Sequence, residues 1–153
     1  VAEILNPDEV LAALRDFGPL RRIILATPGT LQGTLSAFFG SRVVVEVRFQ
    51  SEGDDEKQHF ERQVELVCAA RNLVVCRART EIEVEDAEIR RLIRERRIGL
   101  GQIIQGLGVP TAFDLEAAGS DAERFWRVYS LEGPGFVYRI REEFPAALYP
   151  DAA

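Results

Sequence analysis

Two charged side chains fall where an alternating strand would place apolar ones. Residues two apart share one face of a strand. In the run Phe60 to Cys68, that rule puts Phe60, Arg62, Val64, Leu66 and Cys68 on one face, with Gln63 and Glu65 on the other. In the run Phe136 to Phe144, it groups Phe136, Tyr138, Ile140, Glu142 and Phe144, with Arg139, Arg141 and Glu143 opposite. Arg62 and Glu142 are therefore both expected on the apolar side of what reads as one sheet. A buried charge without a partner is strongly unfavourable, so each needs one. Two arrangements would meet the need. The pair lies at strand ends or joins in an ion pair, with a structural role only. Alternatively, the two line an apolar cavity, where Arg62 takes an anionic ligand and Glu142 moves a proton or holds a hydroxyl. Arginine suits the first task because its fork grips a carboxylate with two parallel hydrogen bonds.

The other reactive side chains suggest less. His59 is the only histidine, which excludes a multi-histidine metal cluster or a Ser-His-Asp triad built on any other histidine. It borders a polar loop and reads as exposed. Cys68 and Cys76 are the only cysteines, too few for a disulfide scaffold or an all-cysteine zinc site, and both read as small core residues. Arg77 and Arg79 alternate with Val75 and Glu81, the pattern of a solvated face with cross-strand pairs. Arg90, Arg91, Arg94, Arg96 and Arg97 read as a solvated helix face. Gly99-Leu100-Gly101 and Gly106-Leu107-Gly108 are not phosphate loops, since a helix rather than a strand precedes them and no GxxxxGK[ST] occurs. Trp126 and Tyr129 read as packing residues.

The elements that must position these residues follow from periodicity. Asn6-Pro7-Asp8-Glu9 starts a helix with a cap residue and a proline at its first position, and Gly18-Pro19 stops it. Arg22 to Ala26 is a short apolar run that fits either a helix or a strand. Thr27-Pro28-Gly29-Thr30 is a turn launching a second helix, with Leu31, Leu35, Phe38 and Phe39 as its buried stripe and Gly40 at its end. From Arg42 the period falls to two, and Val43, Val45, Val47 and Phe49 share a face against Glu46, Arg48 and Gln50. The runs 60–68 and 73–84 form a hairpin around Ala69 to Asn72. A charged helix over 85–97 and a Gly-rich one over 99–108 follow. Phe113 and Leu115 mark a further strand. A last hairpin turns at Glu132-Gly133-Pro134-Gly135. The fold class is α+β: a mostly antiparallel sheet of five to six strands, with helices mainly on one face, in one domain spanning 1–153.

The order of these motifs resembles the chorismate pyruvate-lyase family over about Asn6 to Tyr149. The matching segments are Thr27-Pro28-Gly29-Thr30-Leu31-Gln32, Arg62 to Cys68, Arg79-Thr80, Gly99-Leu100-Gly101, and Glu142-Glu143-Phe144-Pro145 followed by Leu148-Tyr149. Pro28 stands where the family has an acidic residue, and Gln32 where it has a threonine. The resemblance implies a chorismate lyase-like fold, shared with UTRA ligand-binding domains. It also implies elimination of pyruvate from chorismate to give 4-hydroxybenzoate in an enclosed cavity, with no metal or cofactor. By that likeness Arg62 and Glu142 are the catalytic pair, and Leu31, Arg62, Arg79, Gly101 and Glu142 bind substrate. No DNA-binding helical module precedes the domain, so an enzyme is expected before a complete regulator. The alternatives are a non-catalytic sensor of a small aromatic acid, and an enzyme making another hydroxybenzoate isomer from a chorismate analogue.

Composition narrows the class further. At 46% hydrophobic and 29% charged residues, the 153-residue chain can bury a sizeable core. Its net charge of −6 argues against nucleic acid as a partner. No apolar run approaches the ~18 residues of a membrane span, and no secretory signal pattern opens the chain, so a cytoplasmic location is expected.

Overall fold

The computed structural model describes residues 6–29, 31–52, 59–95 and 100–151. Thr30, the loop residues 53–58 including Lys57, and Arg96, Arg97 and Gly99 of the expected helical segments lie outside the described residues.

Three short helices open the chain: α1 (Pro7–Ala13), α2 (Pro19–Ala26) and α3 (Gln32–Phe39). Asn6 caps α1, its side-chain oxygen accepting from the Asp8 amide at 2.9 Å, and Pro7 occupies the first turn where no N–H is missed. Pro19 does the same for α2, so the ambiguous run Arg22 to Ala26 is helical, and Pro19 opens one helix rather than only closing another. The turn between α2 and α3 passes through Gly29 with φ of 79°, which a side chain would strain.

Six strands follow: β1 (Val43–Glu52), β2 (His59–Cys68), β3 (Leu73–Val84), β4 (Ala112–Ser120), β5 (Arg124–Gly133) and β6 (Phe136–Pro145). Helices α4 (Ala87–Glu95) and α5 (Leu100–Leu107) connect β3 to β4. The strands make one antiparallel sheet in the order β1-β2-β3-β6-β5-β4, as α+β patterning requires. Both hairpins and the crossover helices match the sequence reading.

The inward side chains form rows across the sheet. At one end Leu66 of β2 stands opposite Cys76 of β3, and Phe144 of β6 opposite Phe125 of β5. All four belong to an apolar cluster completed by Leu14 just after α1, Ile24 and Leu25 of α2, Leu31 at the α3 start and Leu35 of α3. Another row runs Phe60, Ile82, Tyr138, Leu131 and packs under Ile89, Ile93, Ile103 and Ile104 of α4 and α5. Both sets of helices therefore cover the same face of the sheet. The opposite face carries cross-strand ion pairs, among them Arg77–Glu65 at 3.1 Å, Arg79–Glu61 at 3.0 Å and Arg124–Glu143 at 3.2 Å. These exposed pairs contribute little individually.

Two expectations change. In β1, Val47 pairs with Val64 and Phe49 with Gln63, so Arg48 is an extra residue in a β-bulge. The bulge inverts the alternation beyond it. Phe49 is 44% exposed, and Gln50 turns inward opposite Arg62. In α3, Leu31 and Leu35 are buried, whereas Phe38 is 38% exposed and stacks on Tyr149 with ring centres 5.6 Å apart. The helix is only two turns long, and near its end Phe38 meets Tyr149 while Phe39 packs on the cluster beside it.

Candidate functional site

Between the two apolar clusters lie two mixed rows. The first runs Arg62, Thr80, Ile140, Tyr129, and the second Val64, Ala78, Glu142, Arg127. Small side chains at Ala78 and Thr80 leave space above the sheet there. The resulting cavity gives the centres of water-sized molecules about 60 Å³. That is several times the roughly 10–15 Å³ one water needs on the same measure. Its floor includes Val64, Ala78, Thr80 and Ile140, its walls Leu31, Leu66, Leu100 and Gly101, and it reaches both Arg62 and Glu142. It is mostly apolar with a few convergent polar groups, the usual make-up of a small-molecule site.

Arg62 is 1% exposed. Its Nε donates to Gln50 Oε1 at 2.8 Å, and one terminal nitrogen donates to the Ile93 carbonyl at 3.0 Å. Gln50 Nε2 donates to that same carbonyl at 3.0 Å. The β1 bulge thus supplies the amide that orients the guanidinium, and α4 supplies the carbonyl that anchors it.

Glu142 is 5% exposed, and both of its oxygens are engaged. Oε1 accepts from Arg127 Nε at 2.6 Å, and Oε2 accepts from the Tyr129 hydroxyl at 3.2 Å. Arg127 is fully buried and reaches past Glu142 to the α2–α3 turn. It donates to the carbonyls of Leu25 at 3.1 Å, Thr27 at 2.6 Å and Gly29 at 3.3 Å. Its guanidinium carbon also lies 4.2 Å from the Tyr129 ring centre, a cation–π contact. Burial is the largest single influence on the Arg127 charge and works against it, but Glu142, together with Tyr129 and Cys76, holds the guanidinium pKa above its ordinary value. Burial, reinforced by the Glu142 charge, pushes the Tyr129 hydroxyl well above the ordinary tyrosine range. Tyr129 is therefore a fixed neutral donor to the carboxylate. Burial and then Glu142 likewise raise the Cys76 thiol, which keeps it unreactive.

Four of the five expected site residues come together: Leu31, Arg62, Gly101 and Glu142 all line the cavity. Arg79 does not. It lies on the opposite face of the sheet, its side chain 60% exposed and paired with Glu61. Its neighbour Thr80 faces the cavity instead, because successive strand residues alternate. Arg62 and Glu142 sit well inside their strands. Glu142 is ion-paired with Arg127, so the idea that it neutralises Arg62 directly is replaced by a different pairing. Arg127, Tyr129 and Gln50 are the additions. The alternation that flags Arg62 also flags Arg127, which falls between Phe125 and Tyr129 on one face of β5. Gln50 carries no such signal, since only the bulge turns it inward.

Among the described residues no cluster of His, Cys, Asp and Glu is arranged to hold a metal ion, and no helix is long and apolar enough to cross a membrane. His59 is partly exposed and pairs with Glu83 at 3.0 Å, and both cysteines are buried free thiols. No protein-family model matches the chain, and no curated protein matches it.

Proposed function

We propose that the cavity binds a six-membered ring acid and that the chain eliminates pyruvate from chorismate, giving 4-hydroxybenzoate. The observation that carries this reading is the convergence of Arg62 and Glu142 on one mostly apolar cavity, from β2 and β6. The resemblance in motif order points to the same two residues. In this reading the ring carboxylate pairs with Arg62, and the apolar floor and walls bury the ring and exclude water. The C4 side of the ring faces Glu142. Removal of the C4 proton and cleavage of the C3–oxygen bond release enolpyruvate, which takes up a proton at its methylene carbon to become pyruvate. The ring becomes aromatic in the same change, so no electrons are gained or lost overall. Glu142 receives the C4 proton, with Arg127 and Tyr129 fixing where its oxygens point.

A second reading rests on the engagement of both Glu142 oxygens. A carboxylate held by Arg127 and Tyr129 suits a static acceptor for a ring hydroxyl, as in a non-catalytic sensor of an aromatic acid. Incubation of the purified protein with chorismate separates the two. Release of pyruvate together with 4-hydroxybenzoate supports the lyase. Tight binding of 4-hydroxybenzoate with no pyruvate from chorismate supports the sensor.

A further inference from the structure

Thr80 is the one polar side chain among the inward-facing residues of β3 from Cys76 to Val84; the others are Cys76, Ala78, Ile82 and Val84. It is 4% exposed and lines the cavity. Its hydroxyl makes no hydrogen bond within the described residues and is open to the cavity, and valine would fill the same volume in a strand at no propensity cost. A hydroxyl aimed into a mostly apolar cavity takes its partner from whatever fills that cavity, water in the empty protein and a polar atom of the ligand once one is bound. Its position says where that polar atom lies. Thr80 stands directly opposite Arg62 on one side and Ile140 on the other. The next inward residue, Ala78, stands opposite Glu142. The hydroxyl is therefore on the floor between the two charged ends of the cavity.

We propose that Thr80 is a specificity-determining residue that hydrogen-bonds a second ring oxygen, adjacent to the position facing Glu142. This rests on the ring-acid reading above. A ring with its carboxylate at Arg62 and its C4 at Glu142 lies over Thr80 along one edge, and a hydroxyl can donate to or accept from an oxygen there. The ligand class is thus a cyclic acid oxygenated at both C3 and C4. In chorismate the C3 group is the ether oxygen of the leaving group.

The test is calorimetric titration of wild type, Thr80→Val and Thr80→Ser with 4-hydroxybenzoate and with 3,4-dihydroxybenzoate. Wild type should favour the dihydroxy acid by about three- to tenfold, the worth of one neutral hydrogen bond. Thr80→Val should abolish the preference and keep a melting temperature at or above that of wild type, since it removes a hydroxyl with no partner among the described residues. Thr80→Ser should retain the preference. A wild type with no preference, or a preference that survives Thr80→Val, overturns the role of Thr80 and leaves the ring-acid reading standing. A lower melting temperature for Thr80→Val shows that the hydroxyl serves the fold and overturns the role as well. Wild type that binds neither acid overturns both.

Discussion

Arg127 and Glu142 face each other across β5 and β6, with Nε and Oε1 2.6 Å apart and both side chains buried. The pair does more than neutralise two charges. Through three backbone carbonyls, Arg127 ties Glu142 to the turn that carries Gly29 and leads to Leu31, both part of the cavity wall. The orientation of the carboxylate and the shape of the wall are thereby set by one guanidinium.

Removing either partner strands the other in the interior. Glu142→Gln and Arg127→Gln should each destabilise the fold by about 3–5 kcal/mol, the scale for breaking a buried ion pair. The double substitution should cost less than the sum of the singles, because no charge is then left behind. Chemical denaturation of the four proteins measures this directly, and additive losses would show that the two groups are not coupled.

Arg62→Ala should chiefly weaken ligand binding, on the order of 2–4 kcal/mol, because an anion would then face an apolar wall. Glu142→Gln should lower the rate of pyruvate release roughly 10²–10⁴-fold if the carboxylate takes the proton. A much smaller fall, with binding intact, would mean that Glu142 only holds the ring hydroxyl. Steady-state kinetics combined with calorimetry separate these outcomes.

Two buried tyrosines should respond oppositely to loss of their hydroxyl. Tyr138 lies wholly inside the core, and its hydroxyl has no hydrogen-bond partner among the described residues. Tyr138→Phe should leave stability unchanged or raise it by up to about 1 kcal/mol. Tyr149 donates to the Val75 carbonyl at 2.6 Å in the apolar cluster under α1 to α3. Tyr149→Phe strands that carbonyl and should cost about 1–3 kcal/mol. Thermal melts of the two variants check the contrast.

All three tyrosines, Tyr129, Tyr138 and Tyr149, are held above the ordinary tyrosine range, primarily by burial. A raised folded-state pKa contributes stability that is complete below the unfolded-state value, near ~10. That contribution is lost as pH rises from there toward the folded-state values. Alkaline titration followed by ultraviolet absorbance should therefore show no tyrosinate in the folded protein around pH ~10. The three should ionise together when the protein unfolds. Stepwise ionisation of one tyrosine before unfolding would contradict the burial that raises it.

Strand alternation alone placed Arg62 and Glu142 on the cavity side, because both lie in regular stretches of β2 and β6 where period two holds. The same rule separates Arg79 from Thr80, so the expectation that Arg79 binds substrate, taken from resemblance, conflicted with its own alternation. Arg127 was equally legible, being flanked on its face by Phe125 and Tyr129. Gln50 was not, since a single extra residue at Arg48 reverses the face of everything after it and leaves no mark in the hydrophobic pattern. The helical state of Arg22 to Ala26 was also hidden. Its apolar run is too short for periodicity to decide, and Pro19 at the first turn settles it only once the chain is seen to start a helix there.

Arg62 and Glu142, in the function proposed above, bracket one ring acid within the cavity. A crystal structure of the protein grown with 4-hydroxybenzoate tests it most directly. It should show the carboxylate on the Arg62 guanidinium, the ring over Ala78 and Thr80, and the phenolic oxygen against Glu142. A ligand bound elsewhere, or seated with its carboxylate away from Arg62, would contradict the claim.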